Sequence, residues 1–141
     1  MSHYETNLDK NDANYVPLTP LTFLKRAYEI YPNYEAVIYG DRKYTWAQVY
    51  KRTVKFASAL NKIGVSKGDT VSFLAFNTPE IFEGHYSVPM TGAVLNTINI
   101  RLDAKTIAYI LEHSEAKVLV VDRQLHVEVK KALNTLKRKN F

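Results

Sequence analysis

Arg101 is the side chain best placed for chemistry in this sequence. It follows a strand-like stretch, residues 93–99 (AVLNTIN), and precedes Asp103, a helix-capping residue type. In an open α/β sheet, ligand-contacting groups gather past the carboxyl ends of strands. A guanidinium there suits a phosphate, which it can grip through parallel hydrogen bonds. A surface arginine beside a helix start has the same spacing, so position alone leaves both readings open.

The other candidates offer less. The glycines Gly40, Gly64, Gly68, Gly84 and Gly92 form neither GxGxxG nor GxxxxGK, so there is no dinucleotide fingerprint and no Walker loop. Gly64 and Gly68 (GVSKG) lie between a helix and a strand, at the edge opposite to ligand-binding loops, and read as a turn. His3, His85, His113 and His126 lack the i, i+4 pairing of a zinc helix. His85 falls on a helix with Phe82, Tyr86 and Val88, without an identifiable carboxylate to make it a base. No serine sits in a GxSxG elbow. Asp69 and Asp122 flank strands as candidate caps, and nothing pairs them as acid and base. The expectation is no catalytic residue and no metal ligand. The ten tyrosines scatter along helical stripes and strands, which points to core packing rather than a base-stacking platform.

The elements that must position Arg101 follow from periodicity. Thr19-Pro20 is an N-cap with proline at the first helical position, and Leu21, Leu24, Tyr28 and Tyr31 recur at helical spacing up to Pro32. Residues 35–45 (EAVIYGDRKYT) read as two short strands about a Gly40-Asp41 turn. Thr45 and Gln48 form a capping box. The helix it opens carries Trp46, Val49, Tyr50, Ala57, Leu60 and Ile63 on one stripe, with Lys51, Arg52, Lys55 and Lys62 off it.

Residues 70–76 (TVSFLAF) are apolar on both pleat faces, as a strand covered on two sides requires. The cycle then repeats. Thr78-Pro79-Glu80 opens a helix to about Met90, and residues 93–99 form a strand. Asp103 caps a helix with Ile107, Ile110 and Leu111 on its apolar face, and Leu102 is placed to staple against Ile107. Residues 117–121 (KVLVV) form a third strand, and a last helix runs over residues 125–136. Strands alternating with helices predict an α/β fold: a partial open parallel sheet with helices on both faces, plus an N-terminal hairpin. The last βα unit stands open at a sheet edge, from which we expect the natural sequence to continue.

Composition narrows the partners. The 141 residues hold no cysteine, so disulfides, thiol nucleophiles and thiolate metal sites are excluded. No apolar run approaches the length of a membrane span, and the polar start lacks the order of a secretory signal, so the expected compartment is the cytoplasm. The formal charge of +5 resides in residues 130–141, which hold five Lys/Arg and no acid. The rest carries 14 basic and 14 acidic residues, so no face has the footprint of a nucleic-acid binder.

Two long stretches carry a resemblance. PLTFLKRAYEIYPNYEAVIYGDRKYTWAQVYKR resembles the opening of the adenylate-forming acyl-CoA synthetase superfamily. GVSKGDTVSFLAFNTPEIFEGHYSVPMTGAVLNTINIRLDAKTIAYILEHSEAKVLVVD resembles the section that follows there, with its G-D-x-V, N-x-P-E, G-A-V-x-x-x-x-N-x-R-L and S-x-A-K-V pieces in order. The likeness spans residues 17–136, after a polar arm over residues 1–16. Within the superfamily the pattern is similar to a subgroup of short- and medium-chain fatty-acyl-CoA ligases and 3-methylmercaptopropionate–CoA ligases. It departs at Ser87, where the subgroup has glycine.

The resemblance implies a parent enzyme that uses ATP and Mg2+ to make an acyl-adenylate, then an acyl-CoA thioester. The carboxylate and coenzyme A are its partners. It implies that residues 17–141 are the first part of the large AMP-binding domain. The family's phosphate loop ending in P-K-G, its aromatic-Thr-Glu motif, its ribose-binding Asp and its catalytic lysine have no counterpart in this sequence. The chain alone is therefore expected to be inactive. Arg101 matches an arginine that in some members lies near the CoA nucleotide phosphates, while Asn96 and Asn99 are expected to fix the strand end and its loop. The alternative, from another class, is a self-contained α/β interaction module without activity.

Overall fold

The computed structural model describes residues 6, 7 and 9–136. His3 and the basic residues Lys137, Arg138 and Lys139 lie outside the described residues. The chain enters α1 (Pro20–Ile30) through a reciprocal cap in which Thr22 and Thr19 exchange side chain-to-backbone bonds. An antiparallel hairpin, β1 (Glu35–Tyr39) and β2 (Arg42–Thr45), follows. The predicted Thr45/Gln48 box then opens α2 (Trp46–Lys62): the Thr45 N–H donates to Gln48 Oε1 (2.8 Å) and the Gln48 N–H donates to Thr45 Oγ1 (3.3 Å). The Trp46 N–H donates to the Tyr34 carbonyl and the Ala47 N–H to that of Pro32, which ties the hairpin's exit to its entrance.

The central sheet is parallel, with β3 (Thr70–Leu74) between β4 (Val94–Thr97) and β5 (Ala116–Val121). Helix α3 (Pro79–Met90) joins β3 to β4, and α4 (Ala104–His113) joins β4 to β5. A 3₁₀ turn (Arg123–Leu125) and α5 (His126–Thr135) follow. Both faces are covered, as parallel strands require. Val71, Phe73, Val118 and Val120 pack with Leu60, Val65 and Val88 beneath α2 and α3. Leu74, Leu119 and Val121 pack with Ile107, Ala108, Leu111, Val129 and Ala132 beneath α4 and α5. Each such large aliphatic or aromatic side chain taken fully out of water contributes about 1.5–3 kcal/mol, so these two clusters carry the fold. Leu102 packs against the Ile107 cluster as the predicted staple.

Several expectations are corrected. Strands β3 and β4 are shorter than their apolar runs, because β3 loses its partners where β4 ends at Thr97 and β5 at Val121. Past that point single bonds remain, the Ile98 N–H to the Phe73 carbonyl (2.8 Å) and the Asp122 N–H to that of Leu74 (2.9 Å). The stripe of α2 buries Val49, Thr53, Ala57 and Leu60, whereas Ile63 lies past the helix end and is exposed. Among the described residues no tyrosine is fully buried. Tyr15, Tyr31, Tyr34, Tyr39 and Tyr109 are exposed, as suits a ring with a polar tip. Ser87, the departure from the subgroup pattern, buries its hydroxyl with no hydrogen-bond partner among the described residues, and so does Thr53. An unsatisfied buried hydroxyl costs about 1–3 kcal/mol.

Candidate functional site

Strand order 4-3-5 creates a switch point. From β3 the chain leaves into α3 on one face, and from β5 it leaves into α5 on the other. Loops departing in opposite directions open a crevice at the carboxyl ends of the two strands, where open α/β sheets bind ligands. A crevice of about 670 Å³ lies there. Phe73 and residues 75–78 line one side, Val120 to Gln124 come from the end of β5, and Tyr39 and Arg42 from the hairpin. A second cleft of about 570 Å³ shares Ala75, Phe76 and Asn77 and is bounded by residues 97–100.

Charged side chains tie the hairpin to the crevice. Arg42 donates to both carboxylate oxygens of Glu80, in the first turn of α3, at 2.8 and 3.4 Å. The guanidinium holds the Glu80 carboxyl well below the usual range, at about 2. Arg52 of α2 lies 3.9 Å from the same carboxylate and forms a two-pronged pair with Glu83 of α3. Glu83 is buried, and Arg52 also stacks over the Tyr44 ring at 4.8 Å. Arg42 stacks over Tyr39 at 5.1 Å.

Arg101 stands next to Ile100, the last residue bounding the second cleft. Its backbone is pinned: the Arg101 N–H donates to Asn99 Oδ1 (2.9 Å), and Asp103 caps α4 by accepting from Lys105 and Thr106 N–H groups at 2.9 and 3.0 Å. Its guanidinium is exposed and has no hydrogen-bond or ionic partner among the described residues. Asn99 thus shapes the loop, and Asn96 locks the sheet to the end of α4 by donating to Ser72 and Ser114 hydroxyls (2.9 and 3.2 Å).

The remaining candidates are structural. Gly64 and Gly68 both take φ of +89°, a turn conformation that favours glycine. Asp69 accepts from Lys117 (2.8 Å) and from the Ser66 N–H and hydroxyl, and these bonds hold its carboxyl at about 2. Asp122 caps the 3₁₀ turn through the Gln124 N–H. His85 Nδ1 lies 2.8 Å from the carbonyl of Ile81, His113 stacks on Tyr109, and His126 Nδ1 lies 2.9 Å from the carbonyl of Arg123. Among the described residues no group of three His, Asp or Glu side chains is arranged to hold a metal ion. The exposed, unpaired guanidinium of Arg101 has the chemistry to meet a phosphate.

The crevice, the strand order and the two covered faces define a doubly wound α/β domain of ligand-binding type. The chain belongs to the AMP-binding enzyme family, whose family model matches residues 24–140. It is similar to a peroxisomal trans-cinnamate:CoA ligase of Petunia hybrida, 53% identical over 95% of this chain and 24% of the relative. It is also similar to a peroxisomal butyrate–CoA ligase of Arabidopsis thaliana, 52% identical over 92% of this chain and 23% of the relative. Among solved structures it is similar to an anthranilate CoA ligase in complex with anthranoyl-AMP. There the TM-score is 0.79 and the identity 26%, over 83% of this chain and 23% of that one. The chain spans about a quarter of the length of the curated relatives it matches.

Proposed function

We propose that the chain is the first section of the AMP-binding domain of an ATP-dependent carboxylate–CoA ligase, with residues 1–16 a polar arm before it. In the whole enzyme the carboxylate attacks the α-phosphorus of ATP and releases pyrophosphate. The CoA thiol then displaces AMP from the acyl-adenylate to leave the thioester. The observation that carries this reading is the identity above 50% to CoA ligases along nearly the entire chain. ATP and coenzyme A are the proposed cosubstrates, with Mg2+ to offset phosphate charge, and this section by itself is proposed to be inactive. A short- or medium-chain fatty acid or 3-methylmercaptopropionate is the proposed acyl donor. Nearly equal identity to a cinnamate and a butyrate ligase supports placing acyl selection elsewhere in the enzyme. No described helix is long and apolar enough to cross a membrane. The cytoplasmic expectation competes with the peroxisomal location in both relatives' names, and imaging a tagged full-length protein decides between them.

Arg101 is the residue proposed to meet a CoA nucleotide phosphate. Its support is an exposed guanidinium without a partner, on a loop pinned by Asn99 and Asp103. A charge-assisted bond of this kind contributes about 1.5–3 kcal/mol, so Arg101→Ala in the full-length enzyme raises the KM for CoA at least about tenfold. Carboxylate-dependent exchange of pyrophosphate into ATP, which needs no CoA, stays at the wild-type rate. Equal loss in both half-reactions refutes the CoA role.

A further inference from the structure

We propose that Arg42 is an exchangeable cation at the mouth of the main crevice, leaving Glu80 to hold a phosphate group of ATP or of coenzyme A when one enters. The proposal rests on the ligase reading. It starts from the placement of Arg42 and Glu80, which both line the crevice between the carboxyl ends of β3 and β5. Both side chains are close to half exposed, at 44% and 49%. An ion pair so open to water contributes little net stability and parts easily.

What makes the exchange workable is the second arginine. Glu80 lies between two guanidiniums, Arg42 at 2.8 Å and Arg52 at 3.9 Å. Arg52 cannot leave, because it is clamped two-pronged to the buried Glu83 and stacked on Tyr44. When Arg42 departs, Glu80 therefore keeps a counter-charge and is not stranded. Arg42 is held more loosely, because its two bonds go to a half-exposed carboxylate and not to a buried one. It sits beside the Gly40-Asp41 turn of a two-stranded hairpin, with the Tyr39 ring along which it can slide. The other ionised groups lining the crevice are Asp122 and Arg123, and Asp122 is engaged with the Gln124 N–H. A phosphate offers Arg42 a bidentate partner of higher charge than Glu80 does.

The rival reading is a fixed latch that merely ties the hairpin to α3. Calorimetric titration of the full-length protein with ATP alone and with CoA alone separates the two without any turnover. Exchange predicts opposite signs. Arg42→Ala weakens one of the two nucleotides about tenfold, while Glu80→Gln, which frees Arg42 in advance, tightens the same nucleotide about threefold. The nucleotide that responds identifies the source of the phosphate. Unchanged Kd values in both variants, with lowered melting temperatures, overturn the exchange and establish the latch. If Arg42→Ala does not fold, Glu80→Gln decides alone: a lower Kd supports exchange, and an unchanged or higher one overturns it. A wild-type protein that binds neither nucleotide refutes the ligase reading itself, and this proposal with it.

Discussion

Replacing Arg52 with methionine lowers the unfolding free energy by about 3 kcal/mol, the cost of leaving a buried carboxylate without its counter-ion. Methionine fills the space of the arginine stem, so the loss is one of charge and hydrogen bonds. Glu83 has a side chain only 6% exposed, between α2 and α3, and both of its oxygens are taken by Arg52. Arg52 is 39% exposed, which lets water soften the penalty and keeps the figure at the low end of its range. The lost stack on Tyr44 adds about 0.5–1 kcal/mol. Denaturant unfolding of Arg52→Met and of Arg52→Met/Glu83→Leu checks the cause. The double variant recovers most of the loss, because an apolar pair replaces a stranded charge. The exposed pairs Lys25–Glu29, Lys43–Glu35 and Lys131–Glu128 contribute no more than about 1 kcal/mol each, and neutralising them leaves the midpoint nearly unmoved.

The second large effect lies under α3. A Cβ on Gly84 would stand 2.7 Å from Phe73 Cζ and 2.9 Å from its Cε1, inside any tolerable contact. Phe73 is 1% exposed and meets Phe56 edge-on, so its ring can yield only by giving up core contacts. Gly84→Ala gains about 1 kcal/mol of helix propensity but sets it against overpacking of about 1–3 kcal/mol, and the net change is destabilising. In a Phe73→Leu background the clash disappears and the same substitution becomes neutral or stabilising. That reversal of sign, read from unfolding midpoints of the four variants of the cycle, is the expected result. Phe73→Ala alone costs about 3–5 kcal/mol, as loss of a packed central-strand ring should. Additive effects would show that the ring and the helix backbone do not touch.

These two sites were the least legible in the sequence, and for one physical reason. Arg52 reads as a solvated position off the apolar stripe of α2, and Glu83 as an ordinary helical acid. Their pairing joins residues 31 apart, and that of Arg42 with Glu80 joins residues 38 apart. No local period encodes such meetings. Gly84 likewise carries a left-over glycine's anonymity until Phe73 is placed against it. By contrast, the caps at Thr19, Thr45 and Asp103 are local hydrogen-bond chemistry, and the structure forms all three. The hairpin and the alternation of strands with helices were legible for the same reason. The ligand-binding edge was half legible. The position of Arg101 after β4 could be read, but the hairpin residues Tyr39 and Arg42 that line the crevice could not, since they enter from another part of the chain.

If this chain opens a carboxylate–CoA ligase, as proposed, the products of the full-length protein will show it. Incubated with ATP, Mg2+, CoA and each of butyrate, cinnamate and 3-methylmercaptopropionate, the protein should form AMP, pyrophosphate and an acyl-CoA thioester in equal amounts with at least one acid. The 141-residue chain alone should form none of them. ADP and phosphate in place of AMP and pyrophosphate, or thioester formation by the 141-residue chain by itself, would overturn the proposed function.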